Sequence, residues 1–81
     1  MDKLDYAILE IMLKELKATG KLSACTRKSI HSKVDLNMDA LYRRLKKLLQ
    51  MGHIANGIQE QKEHTYFVME AGKKKLQEVM E

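Results

Sequence analysis

The apolar positions of the chain change period near residue 54 and again near residue 70, and glycines at 20, 52, 57 and 72 punctuate the pattern. Over residues 2–19, Leu4, Ile8, Ile11 and Met12 recur at helical spacing, and Tyr6, Leu9, Leu13 and Leu16 form a second face beside them. Projected at about 100° per residue, the apolar arc covers about 260°, more than the roughly 100° stripe of a surface helix, so this helix is expected to be covered on two sides. Asp2 suits its N-cap, Asp5 its first turn, Lys14 and Lys17 its last, and Gly20 its close. "KLSAC" is short and can run extended. Thr26 then caps a second helix over 27–34, with Ile30 and Val34 one turn apart on one face. Asp35, Leu36 and Asn37 leave a three-residue turn, and Asn37 caps a third helix over about 38–51. There Leu41, Leu45 and Leu48 form the apolar line, flanked by Met38 and Leu49, and Gly52 supplies a left-handed C-cap.

From Ile54 the period falls to two. Ile54, Asn56 and Ile58 alternate with Ala55 and Gly57, polar "QEQKE" interrupts, and "HTYFV" resumes, which predicts a hairpin with a long tip. Gly57 within the first strand predicts a bulge or a close backbone contact. From about Glu70, Leu76, Val79 and Met80 restore helical spacing. The predicted order is helix, short extended piece, helix, helix, hairpin, helix.

At 81 residues the chain is expected to be one domain, 1–81, with a core that leaves little stability in reserve. Cys25 is the only cysteine, which precludes an intramolecular disulfide and fits a reducing, cytoplasmic setting. No apolar run approaches the roughly 18 residues of a membrane span, and "MDKLDYAILEIM" carries acids where a signal peptide carries cations, so no membrane partner is expected. The net charge of +4 is unevenly placed. Residues 21–50 hold eight cations against Asp35 and Asp39, while the remainder is slightly acidic. A local positive field of this kind selects a polyanion, or solubilises an ordinary helix pair. No Gly-rich phosphate loop, nucleophile elbow or paired-carboxylate pocket is present, so no enzyme is expected. His31, His53 and His64 have no ligand spacing with Cys25, so neither metal nor other cofactor is expected. Cys25 reads first as a small buried hydrophobe and second as a redox-sensing thiol beside Arg27 and Lys28. "KKK" at 73–75 reads as solubilising.

"LYRRLKKLLQMGHI" and "YFVMEAGKKKL" carry a resemblance. Separated by a wing-length hairpin, they make the chain similar over nearly its whole length to winged helix-turn-helix regulators, particularly the small bacterial MarR and PadR kind. The resemblance implies an α+β fold with a three-helix core, a two- or three-stranded wing and a short C-terminal helix. It also implies sequence-specific double-stranded DNA binding in transcriptional regulation. Two features depart from the pattern. Lys62 is the sole wing-tip cation, between Glu60 and Glu63, and Met69 stands where the family has a capping threonine.

Projection of the third helix leaves Asp39, Arg43, Lys46 and Gln50 opposite its leucines, with Tyr42 and Lys47 at the borders. A helix fits the major groove, where Arg can pair bidentately with guanine, which makes Arg43 the first choice of base reader. By the resemblance, Asn37, Met38, Asp39 and Tyr42 approach bases, and Thr26, Arg27 and Lys28 meet phosphates through side chains and free amides. Lys33, Arg44, Lys46 and Lys47 add sequence-independent attraction. Tyr42 can equally be a half-buried border aromatic. The surplus apolar arc suggests a homodimer through Tyr6, Leu9, Leu13, Leu16, Leu76, Val79 and Met80, with two recognition helices about 34 to 36 Å apart on a palindromic site. Two other readings share the fold: a protein-interaction module, and a phage or mobile-element DNA-binding protein acting in replication or excision. An effector ligand leaves no mark in the sequence.

Overall fold

The computed structural model describes residues 2–59 and 63–80. Helix α1 (Lys3–Glu10) opens on a capping box: the Asp2 carboxylate accepts from the Asp5 amide at 3.1 Å, and the Asp5 carboxylate accepts from the Asp2 amide at 3.3 Å. The helix does not run on to Gly20 as its periodicity predicts. It widens into a π turn over Ile11–Glu15, where the Leu16 amide reaches back to the Ile11 carbonyl at 2.9 Å. Lys17 ends it with φ +51°, a left-handed conformation uncommon outside glycine. Gly20 is extended, and opens a 3₁₀ turn over Lys21–Ser23. The extra residue of the π turn retards the helical phase, so Leu13 and Leu16 pack against the same core as Ile8, Leu9 and Met12. Much of the 260° arc is thereby covered within the protomer.

Strand β1 (Cys25–Thr26) follows, then α2 (Arg27–His31), where the Thr26 hydroxyl accepts from the Ser29 amide at 3.2 Å. Helix α2 is shorter than its apolar spacing predicts. The Ser32 hydroxyl donates to the Ser29 carbonyl at 2.7 Å, a side-chain competitor to the helical ladder, and the chain leaves through tightened turns. The connection to α3 is therefore six residues, 32–37, rather than three. Val34 lies in that connection and still packs on the core.

Helix α3 (Met38–Gln50) matches its predicted bounds to within a residue. The Asn37 side chain accepts from the Ala40 amide at 2.8 Å, and Leu41, Leu45 and Leu48 are buried. At its other end Gly52 has φ +78°. The amides of His53 and Gly52 donate to the carbonyls of Leu48 and Leu49, both at 3.1 Å, a Schellman closure.

Strands β2 (Ile54–Asn56) and β3 (Thr65–Val68) form the wing, and β3 lies centrally in an antiparallel sheet of order β1-β3-β2. Cys25 pairs with Tyr66 on one side, and Ile54 with Val68 on the other. Gly57 falls just past β2 and makes the close contact expected of it: a Cβ there would collide with the Ala24 side chain. Helix α4 (Glu70–Met80) packs against α1. The Met69 carbonyl accepts from the Lys73 amide at 3.0 Å, so the helix opens on backbone bonding with Glu70 in its first turn. Gly72 lies so close to the His53 carbonyl that a Cβ would collide with it. The result is an α+β winged helix. Among the described residues no helix is long and apolar enough to cross a membrane.

Candidate nucleic-acid interface

Three buried leucines fix the roll of α3, so its opposite face points to solvent. Asp39, Tyr42, Arg43, Lys46, Lys47 and Gln50 are all exposed. Among the described residues, none of Arg43, Lys46 and Lys47 has a carboxylate within ion-pairing distance. These three form the open cationic surface of the helix.

Arg44, assigned with them to DNA attraction, differs in that it has carboxylate partners within the fold. Its Nη1 donates to both Asp2 carboxylate oxygens, at 2.7 and 2.8 Å, and to Asp5 Oδ1 at 3.2 Å. Asp5 is 1% exposed, so this guanidinium compensates a carboxylate inside the fold. The Arg44 hydrogen bonds hold the Asp2 carboxyl below its ordinary value of 3.8, with the Asp5 amide adding to the effect. In return the two carboxylates, Asp2 first, raise the pKa of Arg44.

The start of α2 meets α3 through an aromatic contact. The Arg27 guanidinium lies over the Tyr42 ring, 4.9 Å from its centroid, which makes Tyr42 both a half-exposed border aromatic and a platform. Behind them Tyr66 is buried, and desolvation pushes its hydroxyl pKa up, opposed by the charge of Arg27. Lys28 Nζ pairs with Glu63 of the wing at 3.3 Å, and Lys33 lies 4.0 Å from Glu15. Thr26 and Asn37 are capping residues: their side-chain oxygens already accept from helix amides. Met38 is half-buried against the core. Lys62 lies outside the described residues.

Glu63, His64 and Tyr66 escape the sequence reading. With Arg27, Lys28 and Met38 they line a cleft of about 150 Å³ between the helix-turn-helix and the wing. The wing's acidity alone pointed there, through Glu63.

The residues assigned to a dimer interface divide. Leu9 and Leu76 are buried within the chain and offer no free surface. Tyr6, Leu13 and Leu16 are half-buried, and Val79 is exposed. The Met80 side chain lies outside the described residues. Cys25 is buried, its thiol donates to the Tyr66 carbonyl at 3.5 Å, and burial pushes its pKa up to about 11. That is the behaviour of a small hydrophobe rather than a sensor. No cluster of three metal-ligating side chains occurs among the described residues.

A DNA-binding protein, TubR of Clostridium botulinum C phage, is 30% identical over 80 residues, 99% of this chain and 98% of its own length. The chain belongs to the TubR family. The solution structure of the DNA-binding TubR fragment from Clostridium botulinum superposes with a TM-score of 0.76 at 29% identity, covering 98% of this chain and 96% of that one. TubR from Bacillus megaterium pBM400 superposes with a TM-score of 0.87 over 99% of this chain and 87% of that one; at 21% identity it supports the fold alone. No protein-family model matches. The resemblance thus led to a winged-helix fold and to DNA-binding relatives, and those relatives are TubR proteins rather than MarR or PadR regulators.

Proposed function

We propose that this TubR-family chain binds double-stranded DNA sequence-specifically as a single winged-helix unit, with α3 in the major groove and Arg43 as principal base reader. The observation that carries the reading is the open cationic face of Arg43, Lys46 and Lys47 on a helix rigidly seated by Leu41, Leu45 and Leu48. The DNA-binding TubR of Clostridium botulinum C phage supports it. Asp39, Gln50 and Tyr42 with its stacked Arg27 border the same face, and Lys28 and Lys33 extend the phosphate-attracting surface.

The biological role is transcriptional regulation in the cytoplasm, of the kind MarR and PadR proteins perform, by a homodimer that uses Tyr6, Leu13, Leu16 and Val79. A second reading is favoured by the phage source of the relative: a mobile-element protein acting in replication or excision. A salt titration against random duplex tests the reading common to both. Binding should weaken steeply as salt rises, since each neutralised phosphate adds about 0.9 to the log-log slope. Absence of duplex binding at low salt would remove it. Selection of bound duplexes from a random pool tests specificity, and a recovered palindrome together with sedimentation as a dimer supports two-fold assembly.

A further inference from the structure

The cleft between the helix-turn-helix and the wing holds two cations whose arrangements differ. The Arg27 guanidinium lies over the Tyr42 ring and, among the described residues, has no carboxylate within ion-pairing distance, whereas Lys28 is paired with the Glu63 carboxylate. Glu63 supplies a carboxylate to the lining of a cleft otherwise formed by Arg27, Lys28, Met38, His64 and Tyr66. The Lys28 side chain is 78% exposed and that of Glu63 45%. An ion pair this exposed is weak, so another oxyanion brought against Lys28 can displace the carboxylate.

We propose that the cleft is a seat for one DNA backbone phosphate, and that Glu63 competes with that phosphate for Lys28. The acidic wing then acts as a gate on non-specific binding: every duplex must break the Lys28–Glu63 pair before Lys28 contributes its charge. The inference rests on the DNA reading above and adds an opposing residue to it.

The test is a cycle of four full-length proteins, wild type, Glu63→Gln, Lys28→Gln and the double variant, titrated by fluorescence anisotropy against one random duplex at one low salt concentration. Melting curves confirm that all four are folded. Glu63→Gln should tighten binding about two- to five-fold, Lys28→Gln should weaken it, and the double variant should bind like Lys28→Gln alone. Persistence of the Glu63→Gln gain without Lys28 would show plain long-range repulsion and overturn the proposal. Equal binding by all four would also overturn it while leaving the DNA reading standing. No binding by any of them would remove the DNA reading and the gate with it.

Discussion

Arg43 and Arg44 are neighbours on one helix with opposite uses. Arg43 stands on the outer flank of α3, exposed and with no carboxylate partner among the described residues. Arg44 is turned 100° away toward α1, where it is 27% exposed at the side chain and holds Asp2 and Asp5. The lesson is that charge along a sequence does not measure the charge a helix offers a partner. A cation beside a buried carboxylate is part of the protomer's own electrostatics, and only the remainder is available to a polyanion.

Four perturbations break or sharpen that contrast. Leu45→Ala removes the seat common to both flanks and leaves a cavity under α3; about 2 to 5 kcal/mol of stability should be lost, with a large fall in melting temperature and with it DNA affinity. Arg43→Ala with Lys46→Ala acts on the outer flank only. Duplex affinity should drop at least about tenfold and the salt slope by about two, while the melting temperature stays close to wild type. Arg44→Ala should do the reverse. It leaves the Asp5 carboxylate buried without its guanidinium, for a loss of about 1 to 3 kcal/mol in chemical denaturation, with near-normal affinity at temperatures where the protein is folded. A large affinity loss in a fully folded Arg44→Ala protein would collapse the distinction between the flanks.

The smallest effect is in pH. The folded Asp2 carboxyl titrates below 3.8 because Arg44 holds its charged form. Its contribution is therefore complete above that pH and is lost as pH falls through the lower, folded value. The stability gap between wild type and Arg44→Ala should accordingly narrow as pH drops from about 5 to about 3. A gap that widens instead would mean that the Asp2 pair is not a source of stability.

Local chemistry explains which parts of this architecture were readable. Asp2, Thr26 and Asn37 announce helix starts because a capping oxygen satisfies amides two or three residues away. Gly52 announces a stop because only glycine takes φ +78° without strain. The leucines of α3 gave its seat and, by difference, its outer face. Three things were hidden. The π turn at Ile11–Glu15 and the left-handed Lys17 keep the apolar period of an uninterrupted helix, so Gly20 looked like the terminus. The Ser32 bond that shortens α2 involves a residue whose spacing suits a helix equally well. The pairing of Arg44 with Asp2 and Asp5, like that of Lys28 with Glu63, joins residues remote in sequence, and periodicity carries nothing about such contacts. The exposed face of α3 was legible, and the ion pairs that neutralise Arg44 and Lys28 were not.

Cys25 turns the fold into its own stopwatch. It is the sole thiol of the chain, sits in the edge strand β1 against Tyr66, and has a pKa of about 11, so almost no thiolate is present near neutral pH. Alkylation must then wait for β1 to peel away from β3. Where reclosing outruns the reagent, the labelling rate reports the free energy of that opening; in large reagent excess it reports the opening rate itself. Since β1 leads directly into Arg27 and Lys28, slower labelling in the presence of duplex would register, in seconds or hours, how firmly an occupant braces that edge of the molecule.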